Sequence, residues 1–309
     1  MVKSMTKLMK VKYLLLLFSL CYCPAQATQL DIEGSLQHNL SENELSFEKA
    51  RIGIKEVLSD AKGDRVNLFL QLEGEDNFKE THIDQLYAKY KGPMGRWNLT
   101  LGRSLIPFGL LSDYDSEVLL LKTQEKKTIG YKSDDGVKLS GFWKSMDYEL
   151  LLSPKKLLKN NHKDNNDKML ALKASFKGQD IEDLKLGFSL LSAEFQDIKK
   201  DMFAIDIIKY HDLLVTRNEV VFGRQEDDSL LSIFTGIDYS LAPSVDLNVA
   251  YTYYKADHKE ESAFLGISYN SPFYGLVFRA GNTHYFKQKT KENQNELLIQ
   301  VYNAYSHYF

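Results

Sequence analysis

The sequence predicts an all-β protein, a transmembrane antiparallel β-barrel of sixteen strands behind a cleaved export signal. Three observations predict it. Apolar and polar residues alternate with a period of two over most of the chain, the pattern of strands with one apolar and one polar face. The links between these segments alternate between very short and mostly longer. The chain finishes in an alternating run, Leu297 to Phe309, that stops on an aromatic.

The N-terminus is set apart from this pattern. Lys3, Lys7, Lys10 and Lys12 form a positive region, Tyr13 to Cys23 an apolar one, and Ala25-Gln26-Ala27 a small-residue cleavage signal. Residues 1–27 therefore read as a signal peptide cut after Ala27, with an apolar run too short to cross a bilayer. Cys21 and Cys23 both fall inside it, so residues 28–309 contain no cysteine. Lipid attachment at either is disfavoured by the large Leu20 and Tyr22 that precede them. An exported chain without disulfide staples needs another constraint, and a closed backbone ladder in lipid supplies one. No apolar run of about 18 residues follows the signal, which excludes a helical span. A net charge of −3 lacks the basic footprint of a nucleic-acid partner.

The predicted strands are 30–38, 44–57, 65–74, 82–91, 96–106, 128–143, 146–154, 167–177, 182–195, 199–210, 212–224, 229–241, 244–256, 260–270, 273–285 and 294–309. In the third, Val66, Leu68, Leu70 and Leu72 share a face; in the ninth, Leu184, Leu186, Phe188 and Leu190 do. Val245, Leu247, Val249, Tyr251 and Tyr253 repeat the pattern in the thirteenth, and Ala263, Leu265, Ile267 and Tyr269 in the fourteenth. Asp134-Asp135-Gly136 breaks the sixth. Links after even-numbered strands are very short except after the second, whereas those after odd-numbered strands are mostly longer and charged. Short periplasmic turns opposite longer extracellular loops are the outer-membrane arrangement, and an even strand count returns both termini to the periplasmic side. Trp97, Trp143, Tyr148, Tyr210, Tyr239, Tyr269, Tyr274 and Phe309 cluster beside the short turns, as an interfacial girdle does. There is no internal repeat or linker, so residues 28–309 form one domain.

Turning the apolar parity to lipid sends Lys49, Arg51, Lys55, Arg65, Lys89, Lys138, Lys173, Lys185, Arg217 and Arg279 inward, against the acids Glu73, Glu219, Asp238 and Asp246. The lumen comes out net positive, and a one-signed channel concentrates the opposite ion. The bland alternative is a solvated face with weak local pairs. The link between the fifth and sixth strands, Pro107 to Lys127, is too long and too apolar for a rim turn, and long links of this kind are usually functional. It is expected to fold into the pore and narrow it, with Asp113, Asp115 and Glu117 facing Arg51, Arg65 and Arg103. Strict alternation from Trp97 points Arg103 outward, and it joins only if Gly102 marks a bulge.

Phe47-Glu-Lys-Ala-Arg-Ile-Gly-Ile-Lys55, Val66-Asn-Leu-Phe-Leu-Gln-Leu72, Asp84-Gln-Leu-Tyr-Ala-Lys-Tyr90 and Leu99-Thr-Leu-Gly-Arg-Ser-Leu-Ile-Pro-Phe-Gly109 together resemble the N-terminal third of the phosphate-selective porin superfamily. The likeness covers residues 44–120, with Pro107-Phe108-Gly109 its most specific element. It implies a sixteen-stranded porin, usually trimeric, with the third loop folded inward. Beyond residue 120 only the strand pattern is similar. The run from Leu297 to Phe309 resembles the final strand read by outer-membrane assembly machinery. The inward basic residues are scattered and mostly Lys, unlike the arginine ladder and lysine cluster of the family's phosphate channels.

The expected function is passive diffusion of small anionic or neutral solutes through a homotrimer in the lipid of a Gram-negative outer membrane. Two other classes compete. One is a non-conducting structural or adhesive barrel. The other is a barrel enzyme, for which no Gly-x-Ser-x-Gly elbow, His-Glu-x-x-His or calcium loop speaks. No catalytic residue, metal or cofactor is expected.

Overall fold

Why alternation of this kind closes into a ring is seen in a computed structural model. It describes residues 27–60, 63–75, 77–110, 120, 125–154, 168–177, 183–195, 198–273, 275–286 and 294–309. The strands are β1 (Ala27–Asn39), β2 (Glu44–Asp60), β3 (Gly63–Glu75), β4 (Glu80–Lys91), β5 (Trp97–Leu105), β6 (Ser133–Trp143), β7 (Met146–Ser153) and β8 (Lys168–Lys177). They continue as β9 (Leu184–Phe195), β10 (Ile198–His211), β11 (Leu214–Gln225), β12 (Asp228–Ala242), β13 (Val245–Lys255), β14 (Lys259–Asn270), β15 (Leu276–Tyr285) and β16 (Gln294–Tyr308). Each pairs antiparallel with its sequence neighbours, and β1 closes on β16 from Gln29↔Tyr308 to Asn39↔Leu298. Closure removes every sheet edge, so each backbone group finds a partner without water. Many of the strands exceed the 9–11 residues a tilted strand needs to cross lipid, so pairing continues past the membrane.

That continuation changes the connections. Only residues 61–62 separate β2 from β3, so the expected exception after the second strand disappears. On the opposite rim β9–β10 and β11–β12 are also joined by two residues each. The long side of the asymmetry is carried by three links: 27 residues between Leu105 and Ser133, 14 between Ser153 and Lys168, and 8 between Tyr285 and Gln294.

Two predicted strands begin three or more residues later than expected. The sixth starts at Ser133 because a one-turn helix, α1 (Glu125–Thr128), and the turn through Gly130 precede it. The fifteenth starts at Leu276, after a turn in which Gly275 has a left-handed φ of +65°. The expected break at Asp134-Asp135-Gly136 is absent. The Asp134 carboxylate accepts from Ser153 Oγ at 2.8 Å and the Asp135 backbone N–H at 2.9 Å, so the acids sit inside a continuous strand.

The outer surface carries the apolar parity: Ile52 (51% exposed), Leu101 (51%), Leu190 (50%) and Leu265 (58%) have no protein cover. Beside the short turns, Trp97, Trp143, Tyr210, Tyr239, Tyr269 and Phe309 are exposed, and the Tyr148 hydroxyl donates to Arg96 O at 3.1 Å. Tyr274 lies outside the described residues. No helix among the described residues is long and apolar enough to cross a membrane. Most buried residues lie on the inner wall; Ser133 and Asp135, on the parity of exposed Val137, are exceptions.

Candidate functional site

The registers of β2 to β7 stack inward side chains in rows. From the long-link rim the rows run Lys49–Glu75–Glu80, Arg51–Glu73–His82 and Gly53–Gln71–Gln85. Next come Lys55–Phe69–Tyr87–Gly102–Gly136 and, nearest the short turns, Val57–Asn67–Lys89–Thr100–Lys138–Leu151.

The upper rows are paired charges. Lys49 Nζ lies 3.0 Å from Glu73 and 3.3 Å from Glu75. Arg51 donates to Glu73 and reaches Glu33 at 3.4 Å. All three central groups, Lys49, Arg51 and Glu73, are buried. His82 stands 3.6 Å from Glu73. Lower down, Lys138 pairs with Glu149 at 3.3 Å and Lys91 with Asp64 at 3.1 Å. Across the barrel Arg217 pairs with Asp238. Arg279 donates to Gln300 at 2.8 Å and sits over the Tyr302 ring, and Gln300 donates to Ser35. This chain ties β15, β16 and β1 across the closure seam.

The net positive lumen expected from alternation is therefore corrected to a lattice of opposite charges. Further inward acids include Glu33, Glu75, Glu80, Glu149, Asp206 and Glu260. Parity alone places the first two, counted from Ile32 and Leu72. Among the described residues Lys55, Lys89 and Lys185 form no hydrogen bond or ion pair, although Lys89 interacts electrostatically with Lys55, Lys91, Lys138 and Glu149.

The wall from β7 to β13 carries an apolar cluster instead. Leu151, Met169, Ala171, Leu191, Met202, Ala204, Val221, Leu230 and Tyr254 pack with Ile106, Phe108 and Ile129 from the two ends of the β5–β6 link. Leu120 packs against Phe234, Ala250, Phe264 and Leu298. Polar groups hold the same segment. Lys173 donates to Gly109 O at 2.8 Å, and the Gly109 N–H donates to Ser189 Oγ at 3.0 Å. The Leu110 N–H donates to Glu219. Lys200 donates to Thr128 O at 2.9 Å, and Lys127 pairs with Glu260. Gly109 fits because its φ is +62° and a Cβ there would run into Glu219 Oε2. Lys200 and Glu260 were not foreseen; their parity with Met202 and Phe264 would have found them.

Of the expected lining residues, the fold brings Lys49 and Arg51 together on β2, two strands from Lys89 on β4. Lys173 meets the β5–β6 link, while Arg217 and Arg279 stand on other sectors of the wall. Arg65 sits at the short-turn end, in the bulge between Asp64 and Val66, bound to Asp60 at 2.9 Å. Arg103 keeps the outward parity of Leu101, because pairing stays in register through Gly102. Its Nε donates to Ser133 at 3.4 Å. Asp113, Asp115 and Glu117 lie outside the described residues. No group of three or more His, Asp or Glu among the described residues could hold a metal.

No family model matches the sequence, and no curated protein matches it. Solved structures do. A loop-deletion form of OmpT, an outer membrane protein of Vibrio cholerae, aligns with a TM-score of 0.68 at 12% identity, covering 91% of this chain and 99% of that one. An anion-selective porin from Comamonas acidovorans aligns at 0.65 and 10% identity, covering 91% and 98%. The outer membrane channel DcaP of Acinetobacter baumannii aligns at 0.66 and 10%, covering 92% and 98%. At these identities the likeness is one of fold: the chain has the sixteen-stranded barrel of outer-membrane porins.

Proposed function

We propose that this protein is an outer-membrane porin, a water-filled channel for passive diffusion of small solutes, and not an enzyme. The observation that carries this reading is the charged inner wall of β1 to β6, since rows such as Arg51–Glu73–His82 need water to solvate what the pairs leave over. Residues 1–27 act as the export signal, the barrel sits in the outer-membrane lipid of a Gram-negative bacterium, and the strand ending at Phe309 is read by the assembly machinery. The β5–β6 link, with Asp113, Asp115 and Glu117, narrows the bore. Support for this comes from the anchoring of both its ends on inward residues of β7 to β13. Three copies associate: Asn303 and His307 share the outward parity of Leu297 and Ile299, polar positions that a subunit contact would cover.

Anions are preferred modestly, through Lys55, Lys89 and Lys185, which form no ion pair among the described residues. Phosphate-type selectivity is the finer form of this reading, supported by the likeness of residues 44–120 to that superfamily. The deciding experiment is conductance of the purified, folded protein in planar bilayers, with the reversal potential in a salt gradient. No conductance would favour the non-conducting barrel, for which the apolar cluster inside the bore speaks. A cation-selective reversal potential would remove the anion preference. Mass spectrometry of exported protein should show Thr28 as its first residue.

A further inference from the structure

The fourth row of the inner wall differs from those above it. Phe69 on β3 and Tyr87 on β4 are direct cross-strand partners, with ring centroids 5.3 Å apart and planes tilted by 43°. Each ring has a glycine beside it. A Cβ on Gly53 would touch the Phe69 ring at 3.6 Å, and Gly102 stands across from Tyr87 on β5. No side chain rises from either glycine, so the two rings form a low shelf between them. Both residues are half-buried.

The shelf is bordered by two cations that form no close ion pair among the described residues, their electrostatic partners being Asp64 for Lys55 and Glu149 for Lys89. Lys55 is the cross-strand partner of Phe69 on its β2 side. Lys89 follows Tyr87 by two residues and is the partner of buried Asn67, whose side-chain oxygen has no hydrogen bond. Neither lysine has a hydrogen bond or ion pair among the described residues, in contrast to Lys49 and Arg51 in the first two rows. Rings on an inner wall usually serve packing. Here they lie beside glycines, within reach of two half-buried ammonium groups.

We infer that the Lys55–Phe69–Tyr87–Lys89 shelf is a binding station for planar aromatic carboxylates on their way through the channel. The carboxylate is held by the two ammonium groups and the ring lies on the aromatic pair. Charge alone would select any small anion; the shelf adds a preference for flat ones. Aromatic contact of this kind is worth about a two- to tenfold change in affinity.

This inference deepens the porin reading and rests on it, so the test separates the two. Benzoate and cyclohexanecarboxylate carry the same charge at similar size, and only the first is flat. Each is added to the wild-type channel in potassium chloride, and the concentration that half-interrupts the current is measured. Benzoate is expected to act at about two- to tenfold lower concentration. In the Phe69→Leu/Tyr87→Leu double variant that ratio should fall to one, and in Lys55→Gln/Lys89→Gln both compounds should weaken together. Equal potency in the wild type, or a ratio that survives loss of the rings, would overturn the shelf while leaving the porin reading intact. If the protein does not conduct, the porin reading fails first. The shelf is then judged by saturation-transfer NMR of benzoate with the folded barrel in detergent. Signal lost in the ring variant supports it, and absence of signal in the wild type refutes it.

Discussion

Neutralising Glu73 is the sharpest probe of whether the paired rows face the permeation path. The Glu73 carboxylate is the shared partner of Lys49, at 3.0 Å, and Arg51. Glu73→Gln keeps the shape and removes one negative charge. The two cations retain Glu75 at 3.3 Å and Glu33 at 3.4 Å, so the stability cost should fall below the roughly 3–5 kcal/mol of breaking a buried pair outright. The variant should therefore fold. An ion passing about 8 Å away through water feels a unit charge as roughly 0.5 kcal/mol. That is a factor of about two in favour of an anion and the inverse for a cation, or about fivefold in their ratio. In a tenfold potassium chloride gradient a non-selective pore would then shift its reversal potential by about 30 mV toward anions. The gradient should stay near 0.1 M or below, where the screening length is about 10 Å or more. A folded variant whose reversal potential moves by less than about 5 mV would refute the placement of this row on the ion path.

Other outcomes follow from the same geometry. Gly109→Ala forces a left-handed residue, at about 1–2 kcal/mol, and drives a methyl into Glu219. Proteolysis between Leu105 and Ser133 should quicken and single-channel conductance should rise. Lys173→Met removes the bond to Gly109 O and should shift both readings the same way, less strongly. Leu190→Arg on the lipid face should cost about 2–4 kcal/mol near the bilayer midplane in a urea titration, whereas Lys185→Arg, inward on the same strand, should leave the midpoint within about 0.5 kcal/mol of the wild type. Phe309→Ala should lower the amount of folded barrel in the membrane several-fold, read by heat-modifiable gel mobility, with little change in the conductance of those channels that form.

The strands were legible because a period of two needs no tertiary knowledge. Val66 to Leu72 or Leu184 to Leu190 name their own lipid face, and closure then follows from the count. Rim connections were less legible, since polar residues such as Glu75, Glu80, Gln225 and Asp228 are as compatible with strand ends as with loops. Pairing above the membrane is decided by the neighbour strand, which the local sequence does not display. The wall charges were half legible. Parity sends Lys49 and Arg51 inward, but the cross-strand register is what brings them to Glu73 and Glu75. Single-sequence reading counted the cations and undercounted the acids for that reason. Lys173 was read as free lining, yet its partner is a backbone carbonyl 64 residues away, a contact with no signature in its own neighbourhood.

The two halves of the bore obey different physics, and the β5–β6 link explains why. A strand that alternates strictly would carry polar residues inward everywhere, yet Leu151, Met169, Leu191, Met202, Val221 and Leu230 all point in. Such residues facing water would gain nothing from the barrel. Beneath Ile106, Phe108 and Ile129 they are dry, and burying each of these three side chains contributes about 1.5–3 kcal/mol. This packing, with Lys173, Ser189, Glu219 and Lys200 satisfying the backbone of the link, makes the β7 to β13 sector resemble the core of a soluble domain. On the β1 to β6 sector the inward positions are mostly charged or amide residues, such as Lys49, Arg51, Gln71, Glu73, Gln85 and Lys89, with Phe69 and Tyr87 as the aromatic pair. If the proposed channel conducts, solutes that need water and charge pass along that sector, where the paired rows stand above lysines that form no ion pair among the described residues.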